Sequence, residues 1–464
     1  MSVRTPLGAS TRSGNVELAG RTLDSRGASS SSRAGLLGLA GLLVTGFGVA
    51  ISAAQTDSLL PESVRPVPSS LAGAFGTGGP DLHVVGAIGV LALMFVSYAV
   101  AVRAADRLSA RAVLMCIAAL HALVLLGPPL LSTDIFSYQA YARIGAVYGA
   151  NPYLDGPHAI ALDPLFPYIG AKWSYIPSAY GPVFTTLSYL LAPLSIAASV
   201  LAYKSIAVVA SLAIVALVWN AARLRGLNSV KAAALVGLNP LLVVYGIGGG
   251  HNDMLMLLAM VAGVYVMLGQ RERLGGGLMV LAVGIKLTAG LMLPFAIAAG
   301  GPRRGRERRR NLVISAGVGA ALVGALGFAL FGTGPLHLLA TVHQTQSEGD
   351  WHSIPGFIST RLGLSPVGHV AGYVLSVIFV GVCCWLLRRV WRGELDWINA
   401  AAWATAAMLI TASSLLPWYV VWLLPLAALA TDRRLFTIAI VITGVVQGIQ
   451  LLGYIPHGSS LLGL

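Results

Sequence analysis

Ala112-Val-Leu-Met-Cys-Ile-Ala-Ala-Leu-His-Ala-Leu-Val-Leu-Leu-Gly-Pro-Pro-Leu-Leu131 is an apolar run that ends directly in Ser132-Thr-Asp134-Ile-Phe-Ser-Tyr138-Gln-Ala-Tyr141-Ala-Arg143. About twenty apolar residues is the length of a helix that crosses a bilayer. A barrel strand would alternate over about ten residues instead. Such runs recur throughout the 464-residue chain, of which 56% is hydrophobic and 10% charged. Soluble domains carry about 25% charged residues. The sequence therefore reads as an all-α polytopic membrane protein.

The net charge is +13. Its arginines cluster in short runs between apolar segments, the pattern of loops kept in the cytoplasm, and no nucleic-acid partner is implied. Cys116, Cys383 and Cys384 all fall inside apolar runs, so neither a disulfide framework nor a metal site is suggested. Residues 1–34, rich in Ser, Gly and Arg, read as a disordered cytoplasmic tail. Spans near 35–54, 83–103 and 112–131 then deliver Asp134 to the external face. Later clusters, among them Arg223 with Arg225, Arg271 with Arg273, and Arg388 with Arg389, bring the chain back. Parity makes 182–197 a re-entrant or interfacial helix and divides 274–300 into a hairpin of two short, broken helices. Irregular backbone at that depth needs cover from protein or water. About 13 transmembrane helices result, in a single domain over 35–464.

The cytoplasmic loops are short and basic. The external loops 132–181 and 333–365 are long and mixed, and loops longer than about 12–15 residues usually carry function or are disordered. They contain Trp173, Tyr175, Tyr180, His343, Gln344, Trp351 and His352, so they are expected to fold onto the membrane surface as one external site. In the first, Ile135–Tyr148 reads as a short helix with its apolar side in the interface. Spacings of four and three put Asp134, Tyr138 and Tyr141 on one face of it.

Each candidate has two readings. Asp134 is either a first-turn charge beside a Ser132 or Thr133 cap or a base at the membrane surface. Gly248-Gly-Gly-His251-Asn252-Asp253 is a helix connection capped by Asn252 or Asp253, or a place where His251 and Asp253 bind sugar or phosphate. Lys286 either snorkels or points its cation into a wet cavity. Pro417-Trp418-Tyr419 alone reads as an interfacial aromatic belt, and His121 and His83 as packing or boundary residues. Walker loops, dinucleotide fingerprints, His-Glu-x-x-His and Gly-x-Ser-x-Gly are all missing. No repeat relates the two halves, which weakens an inverted-repeat transporter.

Ser-Thr-Asp-Ile-Phe-Ser-Tyr at 132–138, followed by Ala-Val-Tyr-Gly-Ala-Asn-Pro-Tyr at 146–153, resembles the actinobacterial mannopyranosyltransferases that extend the α-1,6-mannan backbone of lipomannan. Ser-Ala-Tyr-Gly-Pro at 178–182, Gly-Gly-His-Asn-Asp at 249–253, Lys286 ahead of Leu-Pro at 293–294, and Leu-Pro-Trp-Tyr at 416–419 agree in order. That family is of GT-C type and uses polyprenyl-phosphate sugars as donors.

The resemblance implies an inverting transfer at the outer face of the plasma membrane, from polyprenyl-phosphate-mannose to an α-1,6-mannan or lipomannan acceptor. Asp134 matches the external-loop acid that serves as base. Arg143 and Lys286 are the favoured phosphate partners. His251 and Asp253 are expected on sugar or phosphate. Tyr138, Tyr180, Trp351 and Trp418 would stack on sugars or line the prenyl groove, with Tyr419, His343 and His352 completing the donor and acceptor site. No carboxylate cage of the Mg²⁺ or Ca²⁺ kind is seen, so transfer is expected to need neither metal nor cofactor. The alternatives are a transporter or flippase of a lipid-linked sugar, and a GT-C transferase with a different donor sugar. Cytoplasmic loops too short to build a vestibule speak against transport.

Overall fold

The computed structural model describes residues 14–299, 305–347 and 351–453. Among them every regular element is helical. Helix α1 (Gly14–Ser52) pairs with α2 (His83–Arg103) and α3 (Ala110–Leu126). Its backbone is already helical at Gly14, within the segment expected to be a disordered tail; residues 1–13 of that tail lie outside the described residues. After α3 come α4 (Asp134–Ala146), α5 (Pro182–Tyr189), α6 (Ile196–Leu224) and α7 (Ser229–Gly237). A π-helical segment, Leu241–Ile247, continues α7 at a bend of 49°. Then follow α8 (Asp253–Leu268), α9 (Glu272–Ile285), α10 (Met292–Ala298), α11 (Arg306–Phe331), α12 (Leu338–Ser347) and α13 (Ile354–Thr360). The chain finishes with α14 (Ser365–Trp391), α15 (Trp397–Thr411), a 3-10 turn at Pro417–Trp422, α16 (Leu424–Leu429) and α17 (Arg433–Gly453).

Side-chain caps fix several starts. Ser109 accepts from Ala112 N, Ser195 from Ala198 N, Asn228 from Lys231 N, and Asp396 from both Ile398 and Asn399 N. Each satisfies backbone donors that a helix start leaves orphaned. Between helices, small residues set the approach, as where lipid offers no hydrophobic drive for association. A Cβ on Gly38 of α1 would stand 2.7 Å from Ala101 N of α2.

Six helices are long and apolar enough to cross a membrane, or seven with the bent pair, so the chain is a multi-pass membrane protein. The other expected spans are present as shorter helices, and the count of thirteen depends on those crossing too. Segment 274–300 is broken as parity required: α9 stops at Ile285, Lys286 is extended, and Leu287–Leu291 is a 3-10 turn before α10. Segment 182–197 holds the eight-residue α5 and the first residues of α6, and no span.

Two ends of the bundle differ in chemistry. At one, Arg225 pairs with Asp396 at 3.0 Å and Arg308 with Glu272 at 3.1 Å. Loops 132–181 and 333–365 meet at the other: Asn151 donates to the Phe331 carbonyl at 2.8 Å, and Tyr153, Phe331 and Leu338 share a small apolar core. Helix α4 is not laid in an interface. Ile135 to Ala142 are all buried, so it packs inside the protein and holds the loop down.

Candidate active site

Asp134 begins α4, directly after the Gly127-Pro128-Pro129 break that ends α3. That stretch is pinned at several points. Lys204, buried on α6, donates to the carbonyls of Gly127 (2.6 Å) and Pro128 (2.8 Å). Leu130 N donates to Gly248 O at 3.0 Å, and Leu131 N to Leu59 O at 3.2 Å. The cation on carbonyls at a helix C-terminus is a favourable placement. The hydrogen bond to Gly248 ties this segment to the loop that carries His251.

Thr133, at the cap position of α4, makes no side-chain cap bond, while Ser132 Oγ accepts from Asp134 N at 3.2 Å. The carboxylate, 17% exposed, has Tyr180 Oη at 3.4 Å and His251 Nδ1 at 3.4 Å. His251 is fully enclosed, stacked on Trp418 at 3.8 Å between ring centroids. Burial pushes the Asp134 carboxyl up, but the contacts with His251, Lys286 and Tyr180 outweigh it and hold the group below the usual carboxylate range. It is therefore ionised at neutral pH. Tyr138 and Tyr141 do share the Asp134 face, because the Tyr180 ring meets both, at 4.9 and 6.1 Å.

Asp253 and Asn252 do not cap α8 with their side chains. Asn252 Oδ1 accepts from Tyr138 Oη at 3.3 Å. Asp253, with no exposed surface, accepts from Lys286 Nζ at 2.8 and 2.9 Å and from Trp422 Nε1 at 2.6 Å. Lys286 does not snorkel: its side chain is only 12% exposed, and its ammonium also lies 5.3 Å from the ring centroids of Tyr419 and Trp422, which stack on each other at 4.2 Å. Lys286 is the extended residue at which α9 stops, its N–H still bonded to Ala282 O. A close backbone approach locks the break: Gly181 N donates to Ile285 O at 3.0 Å, and a Cβ on Gly181 would run into the Gly284 carbonyl. We expect Gly181→Ala to push α5 from α9, costing about 1–3 kcal/mol as overpacking does and displacing Tyr180 from Asp134. Thermal unfolding and transfer assays on the purified variant check both effects.

The structure thus brings together Asp134, Tyr138, Tyr180, His251, Asp253, Lys286, Trp418 and Tyr419. It does not bring Arg143. That guanidinium lies 2.9 Å from both oxygens of Asp163 and donates to the Leu194 carbonyl at 3.2 Å, and Tyr148 donates to the same Asp163 at 2.9 Å. An opposite charge in its own loop engages Arg143 and holds it outside this cluster. His343 stands exposed on α12. Trp351 meets the tilted His352 ring at 4.1 Å and lies under Arg361. In the same segment, Ser353 Oγ donates to Ser413 O at 2.6 Å. Trp422, Asn252 and Lys204 were missed. Trp422 sits one helical turn beyond Trp418, a spacing that was the available signal. His121, as expected, is a packing residue bonded to Ile117 O and Ser211 Oγ.

One expectation about the opposite end is corrected. A polar cavity of about 930 Å³ opens there, lined by Arg225, Gln270, Glu272, Arg308, Asn311 and Asp396 among others. Short-loop residues Gln270, Gly393, Glu394 and Leu395 line it together with the helix ends.

The fold and site define a polytopic membrane protein with an ionised carboxylate, a buried ion pair and stacked aromatics gathered beneath two long loops. A family model described as alpha-(1->6)-mannopyranosyltransferase, N-terminal domain, matches residues 32–300. Another, described as the MptB C-terminal domain, matches residues 353–463. The chain belongs to the alpha-(1->6)-mannopyranosyltransferase family. An alpha-(1->6)-mannopyranosyltransferase of Mycobacterium tuberculosis is 29% identical over 403 residues, covering 70% of this chain and 66% of the relative. Alpha-(1->6)-mannopyranosyltransferase A of that organism is 28% identical, covering 67% of this chain and 64% of the relative. Alpha-(1->6)-mannopyranosyltransferase B of Corynebacterium glutamicum is 27% identical, covering 68% of this chain and 58% of the relative. The chain thus spans 58–66% of the length of these relatives. No solved structure matches it.

Proposed function

We propose that this protein is an inverting GT-C transferase of about thirteen crossings, moving mannose from polyprenyl-phosphate-mannose to an α-1,6-mannan acceptor of the lipomannan type. The site would face outward across the plasma membrane, with the arginine-bearing end in the cytoplasm. The observation that carries this reading is the partly open Asp134 carboxylate, ionised beside His251 and Tyr180, in one cluster with Lys286. Asp134 takes the proton from an acceptor hydroxyl as its oxygen attacks the anomeric carbon. The bond from that carbon to the phosphate oxygen breaks, inverting a β-mannosyl phosphate to an α linkage. Polyprenyl phosphate leaves without protonation, so a second acid is not needed.

Lys286 faces the donor phosphate as a point charge, held in place by both oxygens of Asp253. Trp422 fixes Asp253 in turn, and Trp418 and Tyr419 line the sugar and prenyl path. With Asp253 engaged in this way, the transfer is read as metal-independent. A retaining glycosidase would set two free carboxyls about 5 Å apart; here the second carboxylate is neutralised.

A flippase draws support from the polar cavity at the arginine-bearing end, which gives a second opening. Membranes incubated with radiolabelled polyprenyl-phosphate-mannose and a short α-1,6-mannoside decide between the two. Label in a lengthened mannoside supports transfer; label crossing sealed vesicles with no new bond overturns it. Label accepted only from another polyprenyl-phosphate sugar would change the donor and keep the mechanism.

Acid should silence the enzyme only at low pH. The working form of Asp134 is the carboxylate, present above its depressed pKa and lost as pH falls through it, below the ordinary Asp value of about 3.9. In His251→Gln a lowering contact disappears while burial remains, so the acid limb of the pH–rate profile is expected to move to higher pH. An unmoved limb would remove His251 from the account.

A further inference from the structure

The outer side of loop 132–181 carries aromatic side chains that the transfer step leaves unused. Tyr175 is 73% exposed and stacks on the exposed His158 ring at 4.6 Å. Backbone contacts hold the pair in place. His158 N donates to Ser174 O at 2.8 Å, and Ser178 N to Pro152 O at 2.7 Å. A Cβ on Gly156 would meet the Tyr175 carbonyl carbon at 2.6 Å, so segments 152–158 and 174–178 run in contact. Two residues before Tyr175, Trp173 is half-buried, with Lys172 Nζ 5.1 Å from its ring centroid. A Cβ on Gly170 would stand 3.2 Å from Trp173 Cδ1 and 3.3 Å from Thr133 Oγ1, so Gly170 lies between Trp173 and the residue preceding Asp134. At the other end of the segment, the Ile176 carbonyl accepts from Tyr141 at 2.9 Å and Tyr180 reaches Asp134. Residues 173–180 therefore lead from exposed rings to the base.

We propose that His158, Trp173 and Tyr175 form an acceptor subsite, holding the mannose units behind the one whose hydroxyl reaches Asp134. The proposal rests on the transferase reading. A pyranose offers an apolar C–H face with a rim of hydroxyls. A tyrosine ring matches it with a flat apolar face and a phenolic O–H, at low entropic cost because it has few rotatable bonds. The His158 ring nitrogens add hydrogen-bonding capacity at the edge. Leu154 (53%) and Leu162 (101%) are exposed in the same loop, so lipid is the competing occupant.

Purified full-length enzyme would be assayed with α-1,6-mannobiose and α-1,6-mannohexaose as acceptors. For His158→Ala/Tyr175→Ala, the KM ratio of hexaose to biose is expected to rise about tenfold, the loss of roughly one good stacking contact. A KM change shared equally by both acceptors, or none, overturns the subsite. Saturation-transfer NMR with mannohexaose and no donor gives a readout that does not need turnover: contact in the wild type and its loss in the double variant support the subsite, and equal contact in both overturns it. This measurement stays informative if the transfer assay itself fails. Finally, Tyr175→Cys in vesicles should react with a membrane-impermeant maleimide, more slowly when mannohexaose is present. Shielding that is the same with and without the sugar would assign the surface to lipid.

Discussion

Asp134→Asn is expected to lower the rate of mannosyl transfer by about 10²–10⁴-fold, the usual worth of a general base, while leaving the protein folded and able to bind donor. Asn keeps the size of the side chain and its oxygen, so Tyr180 Oη, now 3.4 Å away, retains an acceptor. Ser132 still accepts from the backbone N–H of residue 134, so the start of α4 is preserved. Only the capacity to take a proton is removed. The decisive comparison is the rate of labelled mannose transfer against the thermal midpoint of the same preparation. Full activity in a well-folded Asn variant would defeat the assignment of the base.

The second large effect concerns Lys286. Taken alone, Lys286→Met is expected to destabilise the protein by about 3–5 kcal/mol, because it strands a buried carboxylate. Asp253 has no exposed surface and would keep only the Trp422 N–H. Low activity in that variant would say little about catalysis. Lys286→Met/Asp253→Asn separates the two issues. Neutralising both partners of a buried pair is often close to neutral for stability, and Asn still offers Trp422 an oxygen. We expect the double variant to recover the wild-type unfolding midpoint but to lose about 10²-fold or more in kcat/KM, as when an electrostatic partner of the transition state is removed. Recovery of activity together with stability would reduce Lys286 to a structural ion pair.

Much of the fold was legible because the bilayer imposes a simple length rule. Apolar runs located the helices, and arginine parity demanded that 274–300 be broken; the break falls at Lys286. Order of short motifs located most of the site. What resisted reading was partner choice. Arg143 and Lys286 look alike as cations near a polar loop. Asp163, twenty positions along the same loop, engages Arg143, while Asp253, thirty-three positions upstream, engages Lys286. Trp422 does not stand out in the sequence because an aromatic near a membrane surface is common, and its 2.6 Å contact with Asp253 sets it apart.

The sequence by itself determined the solvent, the helical class, that 274–300 is broken and the presence of an acid beside an aromatic-rich loop. All of these follow from composition, run length and charge order along the chain. Tertiary structure alone decided which charges neutralise each other, that α4 is buried inside the protein, and that His251 stands against Asp134. Those outcomes depend on helices distant in sequence meeting within 3–4 Å. At that range hydrogen bonding and desolvation select one partner among several of the same type.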